Sequence, residues 1–303
     1  MDTQRSTERV PPEFAQLARE VRSLARILDD YLRETDVDVP GSVAAREFAL
    51  EPSFADEEIP NPVTHVILRC QQALIPAADH MLGIAACIEA EDVVLATLSL
   101  IRPIVTASGI AYYLVDPELS LRERLRRGWN IELDSFREQL NSLVDAQPEP
   151  WQAIVDARTH CLTWGTTHEF GQKSRHERFG VIRYWLTDGE AVTPPPTEMK
   201  LAEDVLAAVG GAGMGKMTYR FASAFIHTQS HALTMFRPAE MHYDSRTPNV
   251  VPLGVGLSDF ATWLTIAVMA VDEAAVRCGP YFGWDLSAWS STARALLNKW
   301  ATA

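Results

Sequence analysis

Along most of this chain apolar residues recur at the three- and four-residue spacing of a helix, and almost nowhere at the alternate spacing of a strand. The first such run, FAQLAREVRSLARILDDYL, follows Pro11 and Pro12 and aligns Leu17, Val21, Leu24, Ile27 and Leu28. Residues 35–62, with Pro40, Gly41, Pro52, Pro60 and Pro62, read as a long loop. The pattern predicts a second helix over 63–90, broken near Pro76. Residues 91–115 are the most apolar stretch and predict a core helix. Arg102 is its only basic residue, so it is expected to be buried and structural, with a carboxylate or several carbonyls as partners.

After Asp116-Pro117, the run LSLRERLRRGWNIELDSFREQLNSLV predicts an exposed, charged helix with a kink at Gly128-Trp129. Its Arg122, Arg124, Arg126 and Arg127 read as a solvated face neutralised by Glu123, Glu132 and Glu138, in preference to a phosphate patch. A helix from Pro150 to about Trp164 follows, then a polar loop, GTTHEFGQKSRHERFG. VIRYWL is the only strand-like run, and one strand cannot make a sheet. Pro194-Pro195-Pro196 leads into a helix over 197–209, a glycine-rich turn at 210–215, and a helix over 216–237. A second long loop, 237–256, carries His242, Tyr243 and Asp244, and helices over 257–278 and 286–300 close the chain. The expected fold is all-α, a single large helical bundle of about eight to nine helices with little or no sheet. It would occupy 11–303, after a polar lead-in at 1–10 expected to be disordered.

Composition narrows the function classes. The 303 residues are 47% hydrophobic, enough for a sizeable core, and the net charge is −13. So acidic a chain argues against a broad nucleic-acid or anionic-membrane footprint but leaves room for a small basic site. The apolar run 91–115 is long enough to span a bilayer, yet Arg102-Pro103 stands at its centre. Cys70, Cys87, Cys161 and Cys278 lack any CxxC pairing, and the first residues do not read as a signal peptide. The expectation is free thiols in a cytoplasmic protein with no membrane partner.

Within KMTYRFASAFIHTQSHALTMFR, residues 216–237, Phe221, Ala222, Phe225, Ile226, Ala232, Leu233 and Phe236 fall on one face at about 100° per residue. Arg220, Ser223, His227 and His231 fall on the other, with Tyr219 beside them. Two histidines four residues apart and an arginine below them exceed what a solubilising face needs, so these five residues are the candidate site. His227 and His231 can share a divalent ion, with His160, His168 or His176 as a third ligand, but HTQSH lacks the acid of a zincin. A hydrogen-bonded histidine cluster is the preferred reading, and neither a metal nor a cofactor is expected.

Two other motifs have ordinary readings. GGAGMGKM, residues 210–217, matches most of a phosphate-binding loop, but Met217 stands where a magnesium-binding hydroxyl is required and no strand precedes it. A helix-to-helix turn is the better reading, without nucleotide hydrolysis at Lys216. Asp29, Asp30 and Glu34 resemble the magnesium-binding motif of class I terpene synthases, whose second motif Ser258, Asp259 and Thr262 match poorly, with Ile266 at an acidic position.

Tyr219-Arg220-x-x-Ser223-x-x-x-His227 carries a wider likeness. The chain resembles HEPN-like helical proteins, including bacterial relatives that pair an apolar "R-x-x-x-acid…aromatic-leucine" helix with a later "YRxxSxxxH" helix. The first element corresponds to RPIVTASGIAYYL, Arg102 to Leu114, with Thr106 at the acidic position. Nuclease members carry Arg, four to six residues, then His, and Arg220 and His227 fit with six between. Phe221 stands where those members have a small polar residue. The resemblance implies His227 in 2′-OH activation or leaving-group protonation, and Arg220 stabilising a pentacoordinate phosphate. It also implies a homodimer acting on RNA in bacterial stress or defence. The rivals are an all-α small-molecule enzyme, terpene-synthase-like or of another tailoring type, and a non-catalytic helical interaction protein.

Overall fold

The computed structural model describes residues 12–90, 94–143, 148–176, 182–189, 194–227 and 256–301. The helices are α1 (Pro12–Glu34), α2 (Val43–Phe48), α3 (Pro62–Glu89), α4 (Val94–Ser99), α5 (Ile101–Leu114), α6 (Leu121–Ser142), α7 (Pro148–Thr167), α8 (Glu198–Gly210), α9 (Met214–Ile226), α10 (Leu257–Phe282) and α11 (Ser287–Trp300). One hairpin, β1 (Gly171–His176) with β2 (Ile182–Thr187), interrupts them. The fold is all-α in the sense expected, and a continuous cluster of buried apolar residues runs from Leu17 on α1 to Trp300 on α11.

α5 lies at the centre, packed against α3, α8 and α10, while α1 covers α3. No helix among the described residues is long and apolar enough to cross a membrane. Residues 91–115 do not form one helix, because the chain turns at Leu100. Pro103 explains the break: it falls in the first turn of α5, where an N–H has no intrahelical acceptor anyway. Pro76 was expected to break α3 and does not. Both it and Gln72 face solvent, so water can satisfy the carbonyl that Pro76 leaves unpaired.

Three further expectations change. The loop at 35–62 contains α2, capped by the Ser42 hydroxyl, and a 3₁₀ turn at Glu51–Ser53. VIRYWL does find a partner: β1 pairs antiparallel with β2, from Gly171 opposite Thr187 to His176 opposite Ile182. β1 was read as loop because all six of its residues are exposed, so no apolar alternation marks it. β2 is the buried strand, and the Asn130 side chain pins it by accepting from the Leu186 N–H at 2.6 Å and donating to its carbonyl at 3.0 Å.

The largest change concerns α6, which is no exposed face and has no break at Gly128. Arg124 is fully buried: its Nε donates to Glu47 at 3.1 Å, its Nη1 to the Leu114 carbonyl, and its guanidinium lies 4.4 Å from the Tyr281 ring centroid. Tyr281 donates to the same Glu47 at 2.6 Å, and burial pushes its phenol far above the ordinary range. Arg126 forks onto Glu123 at 2.6 and 2.7 Å, and Arg127 joins that carboxylate at 3.0 Å. Burial alone would raise Glu123, but the two arginines outweigh it and hold the carboxyl below its usual value. Arg122 grips Asp188 at 3.0 Å and the His168 carbonyl at 2.8 Å. Arg124 and Arg126 therefore lie inside, while Arg122 and Arg127 tie α6 to its neighbours from partly buried positions.

Candidate functional site

Contacts on two sides set the position of α9. Gly215 lies so close to α8 that an added Cβ would stand 2.1 Å from the Ala202 carbonyl oxygen, so only glycine permits this approach. Gly109 does the same for α5, where a Cβ would stand 2.7 Å from the Leu201 carbonyl oxygen. On the opposite side Phe221 and Phe225 meet Trp263 of α10 edge-on, with centroids 6.2 and 6.3 Å away. The predicted apolar face is thus the anchoring face through Ala222 and Phe225; Ile226, assigned to it, is 45% exposed instead.

That anchoring separates the candidate residues into two groups. Tyr219 and Ser223 turn toward α5 and α8. There Arg102 Nη2 donates to Glu198 at 2.6 Å, Arg102 Nη1 donates to the Ser223 hydroxyl at 3.3 Å, and the Tyr219 hydroxyl donates to Glu198 at 2.9 Å. The Arg102 guanidinium also lies 4.6 Å from the Tyr219 ring centroid, within cation–π range. One carboxylate on α8 thereby ties α5 to α9. Burial would raise Glu198, yet the hydrogen bonds from Arg102 and Tyr219 outweigh it and hold its carboxyl below the ordinary value. Burial and the adjacent carboxylate raise Tyr219, which stays a neutral donor at neutral pH.

Arg102 was expected to be buried; its side chain is 23% exposed, at the rim of a cleft. It is structural all the same, and the acid it needs comes from Glu198, not from position 106. Sequence reasoning missed Glu198. Its one local signal, an acid just after the Thr197 cap, accounts for a helix start and says nothing about an arginine 96 residues earlier.

Arg220 and His227 form the second group. Both are exposed: Arg220 lies on α9, and His227, seven residues on, is the cap just past its last residue, Ile226, so the helix ends well short of the expected 237. Lys216, also exposed, lies one turn nearer the start of α9. A shallow depression of about 490 Å³ is lined by Lys216, Arg220, Met217 and Phe221. His231 lies outside the described residues, as do His242, Tyr243 and Asp244.

The other motifs take structural roles. In the glycine-rich turn the Gly213 and Lys216 N–H groups both donate to the Glu203 carboxylate, at 2.6 and 2.7 Å. These are the groups that would cradle a phosphate, and these hydrogen bonds hold Glu203 below its usual range. Asp29 is bonded to Arg33 at 2.8 Å on the last turn of α1, and Asp259 accepts from the Gly256 N–H at 3.2 Å as a cap on α10. His160 lies 3.3 Å from Glu58, while His168 packs at a tilt against the rings of Phe54 and Trp164. Among the described residues no three potential ligands come close enough to hold a metal ion.

Comparison with known proteins adds no relative: no family model, no curated protein and no solved structure matches the chain.

Proposed function

We propose that this chain is a HEPN-like RNA-cleaving protein, with Arg220 and His227 as its reactive pair. One observation carries the reading. The two helices that the resemblance pairs, from Arg102 and from Tyr219, lie far apart in sequence and meet side by side through Glu198. Their contact uses Tyr219 and Ser223 as positioning residues and leaves Arg220 and His227 facing outward.

The chemistry requires little more than this pair. His227 takes the proton from a ribose 2′-OH as that oxygen attacks the adjacent phosphorus, or returns one to the 5′-oxygen as the P–O5′ bond breaks. The products are a 2′,3′-cyclic phosphate and a 5′-hydroxyl. Arg220 meets the charge that builds on the pentacoordinate phosphate. Exposure of both groups leaves the stripe open to a strand and to a second copy of the chain, so a homodimer belongs to the proposal. Free thiols, buried at Cys70, Cys161 and Cys278, fit a reducing cytoplasm.

The test is cleavage of total RNA by the purified protein, with end-group analysis of the products. Wild type is expected to cleave, and Arg220→Ala and His227→Ala to lose at least about 100-fold in rate. Cleavage by both variants at the wild-type rate, or none by wild type, would overturn the proposal. The rival reading, a small-molecule enzyme, has the cleft beside Tyr219 in its favour.

A further inference from the structure

The hairpin has an inner and an outer edge, and the bonds of β2 tell them apart. The Asn130 side chain of α6 accepts from the Leu186 N–H at 2.6 Å and donates to the Leu186 carbonyl at 3.0 Å, so both groups point away from β1. In an antiparallel ladder, directly opposed residues either both bond across the pair or both point away. Gln172 stands opposite Leu186, so its own N–H and C=O face outward. By the two-residue period, so do those of Ser174 and His176. No described residue outside the hairpin makes a backbone bond to these three, and all six residues of β1 are exposed. α7 meets the hairpin through side chains instead. Arg158 lies 5.1 Å from the Tyr184 ring centroid, and Gln172 Nε2 donates to the Leu162 carbonyl at 2.6 Å.

The charges of β1 decide what can pair with this edge. The strand, GQKSRH, carries Lys173 and Arg175 and no acid. Arg175 is already engaged, whereas Lys173 forms no ion pair among the described residues. Lys173 alternates with the outward-bonding residues. Against an antiparallel strand added here it would therefore hold a non-hydrogen-bonded position, where facing Cα atoms come to about 4.5 Å and side chains are closest. The β1 of a second copy would bring its own cations to these positions, and like charges directly opposite destabilise a pair. Lysine on an edge guards against such self-pairing. A carboxylate at the same place is drawn in.

We propose that the outer edge of β1 takes up an extended acidic segment of a protein partner as a third, antiparallel strand. The backbone of that segment bonds to Gln172, Ser174 and His176, and one of its carboxylates meets Lys173. The site stands apart from the exposed residues of α9 and does not depend on RNA cleavage there.

The test is fluorescence anisotropy on the full chain with a labelled peptide of about eight alternating Glu and Thr residues, long enough to span β1. Its controls are the Lys–Thr counterpart, the acidic peptide N-methylated at its Thr residues, and a labelled oligouridylate. The acidic peptide is expected to bind with a Kd below about 1 mM, and the lysine and methylated peptides at least about tenfold more weakly. Ser174→Pro removes an outward N–H, a change an edge strand tolerates. It should weaken binding about tenfold or more while the circular dichroism stays that of wild type. Lys173→Glu should weaken the acidic peptide about fivefold or more and turn the preference toward the lysine peptide. The proposal fails if the acidic peptide does not bind at about 1 mM, if the methylated peptide binds as tightly, or if folded Ser174→Pro and Lys173→Glu bind like wild type. Should Ser174→Pro not fold, the methylated peptide decides. Oligouridylate bound in place of the peptide, and lost in Lys173→Glu, would also overturn the proposal.

Discussion

The cations of α6 and those of α9 end in opposite places, and only the former depart from what the sequence promises. Four arginines within six residues of α6 read as a solvated face, yet Arg124 is fully enclosed and every one of the four is engaged by carboxylates or carbonyls. On α9 and at its C-terminal cap a much sparser set, Lys216, Arg220 and His227, stays exposed. The lesson concerns supply of partners. A guanidinium goes inside when the fold brings a carboxylate to it, as Glu47 comes to Arg124 from α2. At the start of α9 the Glu203 carboxylate is taken up by the Gly213 and Lys216 N–H groups.

The contrast can be broken most forcefully at Arg124. Arg124→Ala leaves Glu47 buried without its cation and should cost on the order of 3–5 kcal/mol in urea unfolding. A loss below about 1 kcal/mol would show that α6 is as solvated as its sequence suggests. Next comes Gly109→Ala, which forces a methyl against the Leu201 carbonyl and should cost about 1–3 kcal/mol by pushing α5 from α8. Smaller again is Arg102→Ala. Its partner Glu198 is half-exposed, so solvent screening holds the expected loss to roughly 1 kcal/mol.

The Arg102–Glu198 joint also has a pH signature. Because the folded state holds the Glu198 carboxyl below its unfolded value, its contribution is present above the ordinary carboxylate range. That contribution is lost as pH falls through the lowered folded value. Arg102→Ala should therefore flatten the decline of stability in acid, as read from unfolding curves between neutral and acidic pH. An unchanged slope would separate Glu198 from Arg102.

Much of the helical frame was legible because burial imposes the helical period on apolar residues, as in α1, where Leu17, Val21, Leu24 and Leu28 are buried as expected. The hairpin was half visible: β2 is buried and apolar enough to show, whereas β1 has no apolar residue to mark it and is held by pairing with β2 and by Gln172 bonding to α7. The break ahead of Pro103 was readable in principle from the missing N–H. At the site, the sequence brought Tyr219, Arg220, Ser223 and His227 together on one helix but could not divide them. The division follows from which flank of α9 meets α8, and that depends on glycine contacts such as Gly215 with Ala202, to which no local pattern refers.

The central claim is that the exposed stripe of α9 works while the arginines of α6 hold the fold, and His227→Ala tests it most directly. The variant should unfold within about 0.5 kcal/mol of wild type, since an exposed helix end contributes little to stability. Its RNA cleavage per folded molecule should be abolished. A variant that keeps wild-type cleavage per folded molecule would contradict the account and return α9 to a purely structural role.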